Sequence, residues 1–407
     1  MKADGKRLMV ICFCMILMIP GGIAIKSAWL ANPFAGVVRA GDLRDDSSLQ
    51  APEVIRGIPE RYADNVRQFQ GIASLEVCSR DRLWACWYAG GNGEEYENYV
   101  IVSTSGDAGK TWTIALTIDP DGPGPVRAYD STLWQDSKGV LHIYWTQSNH
   151  YFDGRCGVWT MQTENPEDGE NALWSAPRRL CDGIMMDKPT VDSKGRILYP
   201  VSLWRNEPTD AFPEIPKGTF VYLSQDDGRT VSLLGKTFLP LENSLYDEHS
   251  IIEKKDGTFR MFIRTKTGMA EATSRDGVTW SDAVPSKIQN TSARFFVRRL
   301  MSGALLLVKN GPIDKDVSRT RLTAYISDDD GDTWTGGLLL DERGEISYPD
   351  GGQSDDGIIT IVYDYNRFSD REILCARFTE EDVRNGKPVS PQCELRILIN
   401  KATGKMP

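Results

Sequence analysis

A short polar phrase is written four times in this chain. It reads SGDAGKTW from Ser105, SQDDGRTV from Ser224, SRDGVTW from Ser274 and SDDDGDTW from Ser327. The first serines stand 119, 50 and 53 residues apart. A unit of about fifty residues explains the last two spacings directly. The first spacing is then two units plus an insertion, with one copy decayed, and TENPEDGENALWS (Thr163–Ser175) is where that copy is expected. In each phrase Ser and Asp can satisfy backbone donors locally, Gly permits a positive φ, and the closing Trp can tuck between strands. The phrase therefore reads as a structural turn.

A second phrase recurs out of step with the first. It is a short apolar strand, a polar turn, then a strongly apolar strand. The copies begin GIASLEV at Gly71, DSTLWQ at Asp130, DKPTVD at Asp187, EHSIIE at Glu248, RFFVRR at Arg294 and YPDGGQ at Tyr348. The turns DSKG, KDG, MSG and DDG join hairpin strands, and the strands are rich in Val, Ile, Leu, Tyr and Trp with little helical periodicity. Six such units predict an all-β fold, a six-bladed β-propeller over residues 53–400, because radial repetition hides sheet edges and stacks blades that cannot bury their faces alone. The four polar phrases are expected on the outer side of the blades.

With 40% apolar and 26% charged residues in 407, the chain can bury a proper core. Its net charge of −10 argues against a nucleic-acid or anionic-membrane partner. Lys2, Lys6 and Arg7 precede the apolar run Leu8–Ile19, and small residues follow to Ala28. Residues 1–28 read as an export signal, with an uncleaved anchor as the alternative, so a membrane is a partner only in that second case. The protein is expected to be secreted, periplasmic or on the cell surface. Residues 29–52 read as a linker. Cys78, Cys86, Cys156, Cys181, Cys375 and Cys393 remain beyond the signal. Export permits disulfides among them, but most lie in or beside apolar runs, as buried thiols do. No metal-ligand spacing and no cofactor motif is present. The sequence leaves the oligomeric state open.

In a propeller the first strands of the blades crowd the axis, and their ends ring a mouth suited to a pocket. At those ends stand Gln70 with Gly71, Asp130, Asp187 with Lys188, Glu248 with His249, Arg294, and Tyr348 with Asp350. This ring mixes carboxylates, cations and a phenol, which can supply an acid or base, a nucleophile and an anion clamp. His142 reads as a core or face residue. His249 should point away from Glu248 across the strand. His150, in SNHYFDGR, is a candidate for the pocket lining. Arg127 lies near Asp130 in RAYD, and Trp87, Tyr88 and Trp204 are large aromatics suited to core or sugar stacking.

The boxes on six blades resemble the sialidase (neuraminidase) superfamily of BNR-repeat proteins. That resemblance implies a Tyr nucleophile with a Glu base, an acid/base carboxylate and three Arg that hold a substrate carboxylate. YDEHSIIEKKDGTFRMFIRT then implies Glu248 as base and Arg264 as a clamp. SRTRLTAYISDDDGDTW implies Arg319, with Arg321 as its alternative. SYPDGGQSDDG implies Tyr348 as nucleophile. The family's first Arg is missing: its motif is GIASL here, with Gly71 in the Arg position. Arg56 and Arg67 are the nearby substitutes. The family's acid/base loop is GGNGEEYENY, which offers Glu94, Glu95 and Glu97, with Glu95 the choice and Asp130 a second candidate. Arg294, Lys188, Asp187 and His150 complete the expected substrate contacts. The resemblance implies an exo-glycosidase acting on a terminal acidic sugar of a glycan. A polysaccharide lyase on uronic acids and a non-catalytic glycan-binding propeller are the alternatives.

Overall fold

Each copy of the longer phrase folds into an antiparallel hairpin that forms the inner half of one sheet. The six hairpins open with Gln70–Val77, Val126–Gln135, Thr190–Val191, His249–Glu253, Phe296–Arg299 and Ile346–Gln353. Two further strands complete each blade, giving six antiparallel sheets arranged as a six-bladed β-propeller. The computed structural model describes residues 46–204 and 211–405, all within the compact unit of residues 39–407. The expected export signal and the linker up to residue 45 lie outside the described residues. Residues 46–52 are docked on the second blade, where Ser47 donates to Asn149 at 2.8 Å and Arg155 pairs with Asp46 at 3.0 Å.

All four polar phrases sit between the third and fourth strands of a blade. In the first, Gly109 N donates to Ser105 Oγ at 2.9 Å and Thr111 N to Asp107 Oδ1 at 2.9 Å. Trp112 Nε1 closes the turn on the Gly109 carbonyl at 3.0 Å. The decayed copy falls at the same place in the second blade, where the 3-10 turn Pro166–Asn171 links Gly157–Thr163 to Arg178–Cys181. In the sixth blade the six-residue helix Glu380–Asn385, capped by Thr379 and Asp382, replaces it.

Strand Glu53–Arg56 adds a fifth strand to the outer edge of the first blade. The ring closes between the first and sixth blades. Arg67, 1% exposed, donates to the Tyr62 carbonyl at 2.8 Å and to Asn400 at 2.7 Å. Thr403 N and Gly404 N bond the carbonyls of Asp64 and Arg67. Trp84, Trp87 and Trp145 are fully buried between sheets. The six cysteines are all free thiols. Among the described residues no helix is long and apolar enough to cross a membrane.

Candidate active site

Three blades interrupt their first strand by the same backbone device. Their first strands each carry a β-bulge, at Gly71/Ser74, Tyr129/Thr132 and Ser347/Asp350. Within each bulge one non-glycine residue has a positive φ: Ile72 at 57°, Asp130 at 48° and Tyr348 at 55°. A bulge re-aims the side chain it carries. Holding a branched or bulky residue there costs about 1–3 kcal/mol, a strain that gathers at functional sites.

Tyr348 is the centre of the arrangement. Its hydroxyl accepts from Arg264 Nη1 at 3.0 Å, and the same Nη1 donates to Glu248 Oε1 at 2.7 Å. Arg264 Nη2 is tied to the Ser292 carbonyl at 2.9 Å. Tyr348 and Glu248 are not hydrogen-bonded to each other; Arg264 holds them both. Glu248 Oε2 is buried without a hydrogen-bond partner, so one oxygen is open to a proton. Burial pushes the Tyr348 phenol up, Arg264 partly offsets this, and Glu248 pushes it up further. The resting phenol is therefore protonated at neutral pH and needs a base. Burial works against the charge of Arg264, but Glu248 and Tyr348 outweigh it.

Two more guanidinium groups face the same ring. Arg319 lies 5.4 Å and Arg367 5.1 Å from the Tyr348 ring centroid, beside 5.9 Å for Arg264. Arg319 donates to Ser347 Oγ at 3.2 Å, and Ser347 in turn donates to Asp364 at 2.8 Å. Arg367 pairs with Glu94 at 2.8 Å and approaches Asp364 at 3.9 Å. The expected alternative Arg321 is exposed and stands apart from this cluster. Neither substitute for the missing Arg reaches it. Arg56 donates to the carbonyls of Glu170 and Ala172 near the surface, and Arg67 is spent on ring closure.

The carboxylates need sorting. Glu95, the expected acid/base choice, turns back into its own loop, where Asn92 N donates to it, and its neighbour Glu94 is the one that meets Arg367. The physical reason is the tight turn at Gly91, whose loop amide needs an acceptor. Asp130 is 2% exposed. Burial holds its carboxyl well above the usual range, Arg127 partly offsets this, and Glu248 and Glu94 raise it further. Arg127 itself is caged by Tyr129, Tyr151 and Tyr88 at 3.9, 5.1 and 5.5 Å.

Three expected substrate contacts are instead committed to the axis. Lys188 Nζ donates to the carbonyls of Leu75 and Leu133 and to Glu76 at 3.0 Å, which uses all three of its hydrogens. Arg294 joins Asp187 at 3.2 Å to Asp350 at 3.1 Å. Burial lifts Asp187 to about 6, with Arg294 working against it. These side chains tie the first, second, third, fifth and sixth blades together. Only Arg294 Nη1 is left without a partner. His150 lies edge-on to Tyr96, 6.4 Å between centroids, on the loop that carries Glu94. Trp87 and Tyr88 are buried, and Trp204 packs edge-on to Tyr246 at 4.9 Å. Among the described residues no group of His, Cys, Asp and Glu is placed to hold a metal ion.

The profile of the BNR repeat-like domain matches residues 81–361, more than half of the chain. The chain belongs to the BNR repeat-like family. Its propeller is similar to solved structures of low identity, so the likeness is one of fold. A protein of unknown function from Dyadobacter fermentans is 16% identical, with a TM-score of 0.60 over 79% of this chain and 95% of that one. The intramolecular trans-sialidase from Ruminococcus gnavus is 14% identical, with a TM-score of 0.60 over 83% and 99%. The Hadza microbial sialidase Hz136 is 19% identical at 0.58, and this BNR repeat-like chain covers 65% of its length with 75% of its own. No curated protein matches the sequence.

Arg367 is the site residue that sequence reading missed. It follows the second strand of the last blade, outside any recurring phrase. The one signal was negative: a glycine at position 71 leaves room that some other side chain must fill. Asp364 was missed likewise. It binds Ile72 N at 2.7 Å and steadies both Ser347 and Arg367.

Proposed function

We propose that this protein is an exported exo-glycosidase that hydrolyses the bond to a terminal acidic sugar of a glycan. The observation that carries the reading is Arg264, which holds the Tyr348 phenol and the Glu248 carboxylate from one nitrogen. Three cations over one phenol suit a substrate that brings its own negative charge. A carboxylate nucleophile would repel such a substrate, whereas a neutral phenol does not until its proton leaves.

In this reading the acidic sugar draws Arg264 toward its own carboxylate, and Glu248 takes the phenol proton on its open oxygen. Tyr348 Oη forms the bond to the anomeric carbon as the bond to the leaving oxygen breaks. Asp130 gives its proton to that oxygen, since burial raises its pKa and so favours its acid form, and no hydrogen bond in the structure occupies it. Water then attacks the anomeric carbon, Asp130 recovers a proton from it, and Tyr348 departs and regains its own from Glu248.

The test is incubation of the purified protein with sialyl, uronyl and sulfated glycans. Release of a free acidic sugar is the expected result. A new ultraviolet-absorbing double bond in the product would assign the chain to the lyases, and binding without turnover would make it a glycan-binding propeller.

A further inference from the structure

Gly71 and Arg367 fit each other. A Cβ on Gly71 would lie 2.2 Å from Cδ and 2.4 Å from Cγ of Arg367, so any other residue there would force the Arg367 side chain out of this position. The stem of Arg367 runs through the space that any other residue at 71 would claim. Its guanidinium then lies beside the Tyr348 ring, with Arg264 and Arg319 facing the same ring. Asp364 anchors it from the blade side, and a carboxylate already rests on its other side: Glu94, from the loop between the second and third strands of the first blade. Its side chain is 11% exposed, and although burial opposes its charge, Asp364 and Glu94 outweigh that cost.

We infer that Arg367 is a substrate-binding residue that holds the anionic group of the sugar, and that Gly71 exists to admit it. The cation is supplied from the last blade across the ring seam rather than from the first strand. Glu94 occupies the anion position in the empty site, and the substrate's carboxylate takes its place on Arg367. Bidentate pairing of a guanidinium with a carboxylate is strong and directional, so this residue selects for acid over ester or amide. The inference rests on the glycosidase reading above.

The experiment compares umbelliferyl glycosides of N-acetylneuraminic acid and glucuronic acid, each as free acid and as methyl ester. For the free acid that the wild type cleaves, Arg367→Ala raises KM on the order of a hundredfold. For its ester KM stays near the wild-type value. Arg367→Lys keeps a charge without the fork and falls between the two. Arg367→Ala combined with Gly71→Arg regains much of the lost affinity for the acid, because the new side chain enters the vacated space from the opposite wall. Gly71→Arg alone collides with Arg367 and lowers both activity and thermal stability. Thermal melting accompanies each variant; if Arg367→Ala fails to fold, Arg367→Lys and the double variant carry the acid–ester comparison. Equal effects on acid and ester, or no effect on either, would show that Arg367 is only a structural partner of Asp364 and overturn the inference. A wild type that neither cleaves nor binds any of the four glycosides overturns the glycosidase reading, and the inference goes with it.

Discussion

Arg264 Nη1 stands 3.0 Å from the Tyr348 hydroxyl while spending its shorter bond, 2.7 Å, on Glu248. The contact fixes a phenol in a left-handed stretch of backbone, where a tyrosine is otherwise unfavourable. It also separates the phenol from its base. In the glycosidase reading proposed above, the resting site is held one step short of reaction, and an anion that draws Arg264 away completes it.

Tyr348→Phe removes the nucleophile and leaves the ring that the three Arg face. Hydrolysis should fall by about 10⁴-fold or more. Binding of a non-hydrolysable acidic sugar, measured by calorimetry, should change little. Glu248→Gln should cost about 10²–10⁴-fold in kcat. If either variant retains wild-type kcat, the nucleophile assignment is wrong.

Asp130 carries a raised pKa, so its acid form is present below that value and is lost as pH rises through it. Activity should therefore decline on the alkaline side. Asp130→Asn should abolish that limb and lower kcat most for substrates with poor leaving groups, by about 10²–10⁴-fold. Glu94→Gln should keep the limb. A pH–rate profile that loses its alkaline limb with Glu94→Gln instead would give Glu94 the proton-donating role.

Lys188→Met tests whether the axial network is structural. Glu76 would keep only Arg298 at 3.6 Å and Asp350 only Arg294 at 3.1 Å, and removing one member of such a buried network costs up to about 3–5 kcal/mol. A large drop in unfolding free energy by urea titration, with KM unchanged in whatever folds, is the expected pattern. A raised KM at unchanged stability would return Lys188 to the substrate pocket.

His249 is 1% exposed, with ring nitrogens 3.0 and 2.9 Å from the carbonyls of Asp247 and Phe220. Burial pushes its pKa down to about 4, although both carbonyls favour the charged ring. The unfolded chain binds this proton near the ordinary value, around 6.5. Stability is therefore full above that value and is lost as pH falls toward 4, by roughly 3 kcal/mol in total. His249→Gln should flatten the dependence in that window. Melting curves between pH 7 and pH 4 that are unchanged by the substitution would exclude His249 as its source.

The number of blades, their hairpins and the outer turns were legible because each is a local matter. A six-residue strand needs its own apolar residues, and a turn such as Ser105–Trp112 carries its own hydrogen bonds within eight residues. Repetition then did the rest, since a unit that cannot bury its faces alone must stack. That Tyr348, Glu248, Arg264 and Arg319 lie together was also legible, because the resemblance places them inside phrases that recur.

Contacts between blades were not legible. Lys188 and Arg294 begin their copies of the phrase just as Tyr348 does, yet their charges are neutralised across the axis by Glu76, Asp187 and Asp350. Nothing local distinguishes a cation that faces the mouth from one that faces another blade. Glu94 and Glu95 are adjacent and chemically alike, and only the path of their loop decides which of them meets Arg367. Arg367 itself lies 296 positions beyond Gly71, in a propeller whose first and last blades meet at one seam. The sequence by itself determined a propeller and most of one site, because those depend on residues near one another along the chain. Tertiary structure alone decided which cation lies against Gly71 and beside the Tyr348 ring, because that depends on which side chain of the last blade reaches the glycine of the first when the ring closes.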